Sequence, residues 1–200
     1  MQYSHDGRQP NIDPTARIAP NAVLCGDVTI GPNCSIGFGA VLTAESGAIE
    51  IGANCIIMDT AVIRGVRGNP VRIGDNVLVG PRAYLSGCRV AENAFFATGA
   101  TVFNGARVGA RAEVRINGIV HLRTVLPEDA VVPLGWIAVG DPAEILPPHE
   151  HERIWAIQQK LDFPRYVFGV ERPPAGQSIN ATVMPRYAKS LRRHLDDKLM

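Results

Sequence analysis

An aliphatic residue returns at every sixth position along most of this chain. The first run is Ile12, Ile18, Leu24, Ile30, Ile36 and Leu42, followed by Ile51, Ile57 and Ile63, then by Ile73, Val79 and Leu85. The longest is Val90, Phe96, Val102, Val108, Val114, Val120, Leu126 and Val132. Four places after most of them the residue is small, as at Ala22, Cys34, Ala40, Cys55, Ala61, Ala83, Ala100 and Ala112. Glycine follows directly at Gly31, Gly37, Gly52, Gly74, Gly80 and Gly109. A period of six matches neither the turn of a helix nor the alternation of a hairpin meander. It predicts an all-β solenoid: short strands joined by corners, with the aliphatic side chain pointing inward. Equivalent positions then stack at the strand spacing of about 4.8 Å. The small residue fits where the turn leaves little room, and glycine tolerates the backbone of a sharp corner.

The breaks in phase support the register. Ser46, Arg67 and Arg89 fall in small-residue slots, and each lies at a break. TAESGAIE and RGVRGNPVR are longer than a hexad and must bulge outside the coil, while LSGCR shortens one corner. The reading gives an N-terminal arm over 1–11, the solenoid over 12–140 and a C-terminal extension over 141–200 carrying two helices. The first helix follows Pro147-Pro148, with Ile154, Ile157 and Leu161 at helical spacing, and is stopped by Asp162-Phe163-Pro164. FGVERPPAGQSINATVMPR reads as an irregular connector. The second helix runs from about Tyr187 to Leu199 on a stripe of Tyr187, Leu191, Leu195 and Leu199. Helices laid along the coil would cover its open faces, on the same subunit or on a neighbour. Trp136 is expected to cap the open end of the coil.

Two hundred residues suit a single core, and a net charge of +1 gives no global field toward nucleic acid or an anionic membrane. MQYSHDGRQP is too polar for a signal peptide and no run approaches spanning length, so a cytoplasmic protein is expected. The four cysteines lack paired metal-ligand spacing; Cys34 and Cys55 fall in equivalent small slots, and all four read as small core residues in a reducing compartment. His149 and His151 are two apart and would point to different faces of a helix. The basic residues Arg186, Lys189, Arg192 and Arg193 are diluted by Asp196 and Asp197 and read as a solvated face.

The runs IGANCIIMDTAVIRG, IGDNVLVGPRAYLSGC, GATVFNGARVGA and VGDPAEI make the chain similar to the γ-class carbonic anhydrase family. That family is a branch of the hexapeptide-repeat superfamily, which also holds many acyltransferases. The resemblance covers roughly residues 9 to 146 and includes both insertions and the shortened corner. It implies a left-handed parallel β-helix of triangular section, assembled as a homotrimer. It also implies zinc held between subunits by three histidines. At the matching positions this chain has Arg64 in Ile63-Arg64, Pro81 in Val79-Gly80-Pro81 and Ser86 in Leu85-Ser86-Gly87-Cys88. Where the family shows Arg-Gly-Asp this chain has Thr43-Ala44-Glu45, and for Gln-Asp it has Met58-Asp59. Catalytic zinc needs three lone-pair donors and one open position; arginine and proline offer none and serine is a poor one. No metal and no cofactor are expected, and zinc-dependent CO₂ hydration is not.

Counting hexads in threes puts Cys25, Thr43, Arg64, Ser86, Phe103 and His121 in one column. The guanidinium of Arg64 is expected to pair with Glu45 or Asp59, within the chain or across an interface, or to clamp a small anionic ligand in the intersubunit groove. His121, about 10 Å beyond Ser86 on sheet spacing, is a candidate general base, set against a purely structural hydrogen-bonding role. The leading expectation is a trimeric, γ-carbonic-anhydrase-like binding or assembly module without zinc. The alternative is an acyltransferase-like enzyme using His121.

Overall fold

The computed structural model describes residues 1–200 and shows a parallel β-solenoid with three faces. The first face is a seven-stranded sheet of Arg17–Ile18, Ser35–Ile36, Ile56–Ile57, Leu78–Val79, Phe95–Phe96, Glu113–Val114 and Val131–Val132. The second runs from Val23–Ile30 through Val41–Ile51, Val62–Gly65, Tyr84–Ser86, Thr101–Val102 and Ile119–Val120 to Ile137–Val139. The third carries Asn11–Ile12, then the far ends of the two long strands, then Val71–Ile73, Arg89–Val90, Arg107–Val108 and Val125–Leu126. The two long strands turn the corner from the second face to the third, with a register shift between Gly26 and Val28.

The hexad register is that of the sequence. Ile36 pairs with Ile57, Ile57 with Val79, Val79 with Phe96 and Phe96 with Val114, each directly above the last. All five are fully buried, as are the small-slot residues Ala22, Ala40, Cys55, Ala61, Ala83 and Ala100. One continuous cluster holds these residues, so the coil has a single core. Trp136 packs against the end of that cluster.

The corners differ from expectation in which residues bear the strain. Left-handed corner positions fall on asparagine and arginine, among them Asn33, Asn54, Asn76, Asn93, Asn117 and Arg111, at φ between 55° and 60°, and on glycines such as Gly39, Gly99 and Gly105. Asparagine tolerates that region because its short polar side chain bonds locally. Here the side chains also bond between rungs, Asn33 to Asn54 at 3.3 Å and Asn54 to Asn76 at 3.1 Å. The glycines that follow the aliphatic residue serve close approach instead. A Cβ on Gly80 would lie 2.7 Å from the Phe96 carbonyl oxygen of the next rung.

The C-terminal extension has three α-helices where the sequence suggests two. α1 spans His151–Gln158 and continues as a 3₁₀ turn over Gln159–Leu161. α2 spans Phe163–Phe168, starting at the residues expected only to stop α1; proline is tolerated in a first helical turn, so Pro164 ends one helix and begins the next. α3 spans Asn180–Leu191 and takes in Pro185, so it begins inside the expected connector. It ends before the expected stripe is complete, giving way to a 3₁₀ turn at Arg192–Asp196 and an extended Lys198–Leu199. That change of period leaves Leu195 and Leu199 76% and 66% exposed. Lys198–Leu199 pairs antiparallel with Gln2–Ser4, which lies parallel on Val23–Ile30. Residues 1–11 thus contribute a strand to the second face. No helix is long and apolar enough to cross a membrane.

Phe96→Ala, which empties the middle of the coil, is expected to cost about 3–5 kcal/mol of unfolding free energy. Glu113→Ala, outward-facing on the adjoining rung, should stay within about 0.5 kcal/mol. Urea denaturation of the two variants measures the difference, and equal losses would refute the inward register.

Candidate functional site

The column counted from the hexads exists. Cys25 pairs with Thr43, Thr43 with Arg64 and Arg64 with Ser86 along the second face. Phe103 and His121 follow on the next two rungs, where Val102 pairs with Val120. The Phe103 amide donates to the Val120 carbonyl at 3.0 Å and the His121 amide to Ala138 at 2.9 Å. The rings of Tyr84, Phe103 and His121 form a tilted series, each pair with centroids 6.2 Å apart.

Arg64 is half-buried in the column and its guanidinium is spoken for. It forms an ion pair with the Glu45 carboxylate and donates to the Tyr187 hydroxyl at 3.0 Å. Burial opposes its charge, but Tyr187 and Glu45 outweigh that and raise its pKa, so it is a permanent cation. Glu45 stands in the first insertion, held outside the coil by the bulge that the phase break demands. Asp59 is elsewhere: its carboxylate accepts the Phe38 amide at 2.7 Å, at the corner between the first and second faces. Within one chain Arg64 therefore meets Glu45 and not Asp59. Ser86 stacks on Arg64 and is buried. Pro81 turns a corner, and its carbonyl accepts the Gly99 amide at 2.9 Å.

His121 lies three rungs from Arg64, with Ser86 and Phe103 between them. Its Nδ1 is buried without a hydrogen-bond partner, and burial lowers its pKa below the ordinary 6.5. It is therefore a neutral imidazole near pH 7. The ring opens on a groove of about 400 Å³ whose wall includes Arg107, Arg123, Lys160 and Asp141. Three cations against one carboxylate suit an anionic ligand. A neighbouring opening of about 260 Å³ adds Trp155, Phe163 and Arg172. Two different segments of the C-terminal extension cover the column: α1 and its 3₁₀ turn stand over His121, and α3 stands over Arg64.

Tyr187 was not legible as a partner of Arg64, since 123 residues separate them. At the far end of the column Cys25 is more than a small core residue: Asp197, 172 positions away, accepts from its thiol at 3.4 Å. His149 and His151 are exposed and carry no site.

The chain matches the family model for the bacterial transferase hexapeptide (six repeats) over residues 10–44, and that for the hexapeptide repeat of succinyl-transferase over residues 70–104. It is 32% identical over 158 residues to gamma carbonic anhydrase 1, mitochondrial, of Arabidopsis thaliana, covering 76% of this chain and 55% of the relative. It is 38% identical over 91 residues to a probable carbonic anhydrase of Methanocaldococcus jannaschii, covering 46% and 57%. The chain thus spans about half the length of the curated relatives it matches. Among solved structures, a putative acetyltransferase from Bacillus cereus superposes with a TM-score of 0.57 at 23% identity, over 80% of this chain and 91% of that one, a likeness of fold. With the hexad register, the three faces and these matches together, the chain belongs to the hexapeptide-repeat transferase superfamily, as a γ-carbonic-anhydrase-like member with its left-handed parallel β-helix.

Proposed function

We propose that this protein is a homotrimeric module of the γ-carbonic-anhydrase type that acts by binding and assembly, without zinc-dependent CO₂ hydration. The observation that carries the reading is the Arg64 ion pair with Glu45, reinforced by Tyr187, at a position where the family resemblance calls for a zinc-binding imidazole. The residues do not fit a zinc ion. Arg64 is cationic, Pro81 offers only a carbonyl already bonded, and Ser86 is a weak donor. A cation satisfied by a carboxylate and a phenol can tie a surface together where a metal would otherwise do so.

Trimer formation is supported by large apolar side chains left exposed on the first face, Ile56 and Phe95, and at its corner, Phe38 and Met58. Four free, buried cysteines suit a reducing compartment and support a cytoplasmic location. The groove beside His121, lined by Arg107, Arg123 and Lys160, is a better place for a small anionic ligand than Arg64, whose charge is already matched.

That groove also favours a second reading, acyl transfer. A neutral imidazole lining the groove is what a general base requires, and adjacent cations would hold the phosphates of a coenzyme A donor. His121 would then take the proton from an acceptor hydroxyl or amine as that group attacks the thioester carbonyl, and return it to the coenzyme A thiolate as the carbon–sulfur bond breaks.

Protein supplied with zinc is expected to hydrate CO₂ at the buffer rate in stopped flow and to sediment as a trimer; catalysis, or a monomer, would each contradict the proposal. Arg64→Ala should cost about 1–3 kcal/mol of stability, between the worth of an exposed and a buried pair. Arg64→Lys should recover only part of it, because an ammonium cannot reproduce the planar fork. Thermal denaturation of the trimer reads both.

Acetyl-coenzyme A binding by calorimetry, abolished in His121→Ala, would put the second reading first. His121 also sets a pH dependence. Its folded pKa is depressed below 6.5, so the unfolded chain takes up the proton more readily and stability falls as pH drops through that value. His121→Gln should show a shallower fall in urea midpoint between about pH 7.5 and 5.5, and identical profiles would show that His121 is not held neutral by the fold.

A further inference from the structure

At the N-terminal end of the column three distant parts of the chain meet. His5 comes from the turn after Gln2–Ser4, Cys25 from the second face, and His194 and Asp197 from the last turn of the chain and the residue that follows it. His5 Nδ1 lies 2.6 Å from Asp197 Oδ1, His194 Nδ1 lies 2.7 Å from Asp197 Oδ2, and Cys25 Sγ lies 3.4 Å from the same oxygen. The two imidazoles stack with centroids 4.2 Å apart. One donor atom from each of the four residues can be chosen so that all lie within 4.8 Å of one another. We propose that His5, Cys25, His194 and Asp197 form a structural binding site for a zinc-like divalent transition metal, clamping both ends of the chain to the first rungs of the coil.

The donor set fits that class of ion. Two nitrogens, one sulfur and one carboxylate oxygen are a borderline-soft combination that favours zinc over calcium or magnesium. Tetrahedral bonds of about 2.0–2.3 Å place ligand atoms roughly 3.3–3.7 Å apart, so small adjustments of the present positions suffice. With four protein donors the site is closed, which marks a structural role and not a hydrolytic one.

The state of His5 is the second argument. The residue is 3% exposed, and its Nε2 is buried with no hydrogen-bond partner, 3.7 Å from the Asp6 carboxylate. If Nδ1 carries the proton and donates to Asp197, a bare Nε2 lone pair faces the carboxylate of Asp6, which repels it. With a metal on Nδ1 the proton moves to Nε2 and points at Asp6, the carboxylate–histidine–metal arrangement in which the outer partner orients the ligand. Arg193 already holds that carboxylate at 2.8 Å. Metal binding would thus turn Nε2 into a donor aimed at a carboxylate. An opening of about 350 Å³ beside Cys25, His194 and Asp197 gives the ion a route from solvent. As the metal binds, the Cys25 thiol gives up its proton to solvent and the thiolate becomes a ligand.

The site stands apart from Arg64, Pro81 and Ser86, so its test is independent of the proposed function. The protein, desalted after incubation with zinc or cobalt(II), should retain one ion per chain, and the cobalt form should show a near-ultraviolet thiolate charge-transfer band. Cys25→Ser should remove the band, and His194→Ala should weaken zinc binding at least a hundredfold while the circular dichroism of the coil is kept. Asp6→Asn, which changes only the outer partner, should weaken it about 10–100-fold. Zinc should raise the melting temperature of the wild type and not of Cys25→Ser. A wild type that retains no metal, or one whose stoichiometry is unchanged in both Cys25→Ser and His194→Ala, would overturn the site. In the latter case, CO₂ hydration by those variants would in addition overturn the proposed function, whereas inert metal-bound variants would leave it standing.

Discussion

Parallel, in-register stacking of short strands, most of them two residues long, is the constraint from which the rest of the molecule follows. Each short strand has one inward and one outward residue, so a slip of one position would expose the whole core and bury the surface. The same registry makes columns of the outward positions, spaced by about 4.8 Å. A column is a severe environment for charge. On the third face Arg72, Arg89 and Arg107 are forced into a ladder, with Glu50 joining Arg72 at one end. On the second face Arg64 has Thr43 below it and Ser86 above it, so no like charge adjoins it in the stack. Its counter-charge has to come from outside the hexads, and the first insertion supplies it.

That explains what could be read in advance. The core, the three faces and the order of the column depend on local spacing, and local spacing is written in the sequence. The Arg64–Glu45 pair was within reach because the insertion that carries Glu45 is one rung away. Within the chain Asp59 does not meet Arg64, because it lies two places past its aliphatic residue, at a corner, where its oxygen is used by the Phe38 amide. Glycine was legible as a marker of corners but not in its role at every site, since Gly74 and Gly80 make room for the next rung while the left-handed angles fall on asparagine, arginine and other glycines such as Gly39 and Gly99.

The C-terminal extension was the least legible part because long-range contacts decide it. A proline that stops one helix can start another, and only packing settles which. The tail leaves helical geometry after Leu191 to bring His194 and Asp197 onto His5 and Cys25, and no helical period records such a meeting. The groove at His121 is similar: Arg107 comes from the third face, Arg123 from a corner and Lys160 from the extension. Nothing in the spacing of those cations along the chain joins them.

The two ends of the column are consequently covered in unlike ways. Over His121, α1 buries Ile154 against Val139 and Leu146, a small apolar cluster of its own. Over Arg64, α3 buries only Val183, and the tail is held chiefly by polar contacts: Tyr187 on Arg64, Arg193 on Asp6, the His5–Asp197–His194 network and the pairing of Lys198–Leu199 with Gln2–Ser4. Partly exposed polar contacts contribute on the order of 1 kcal/mol each, and many contribute less. The tail is therefore held by directional polar contacts, and the α1 cover by burial of apolar surface. Cover over the Arg64 half of the column thus depends on matched polar partners drawn from distant segments, and cover over His121 on an apolar cluster beside an open groove.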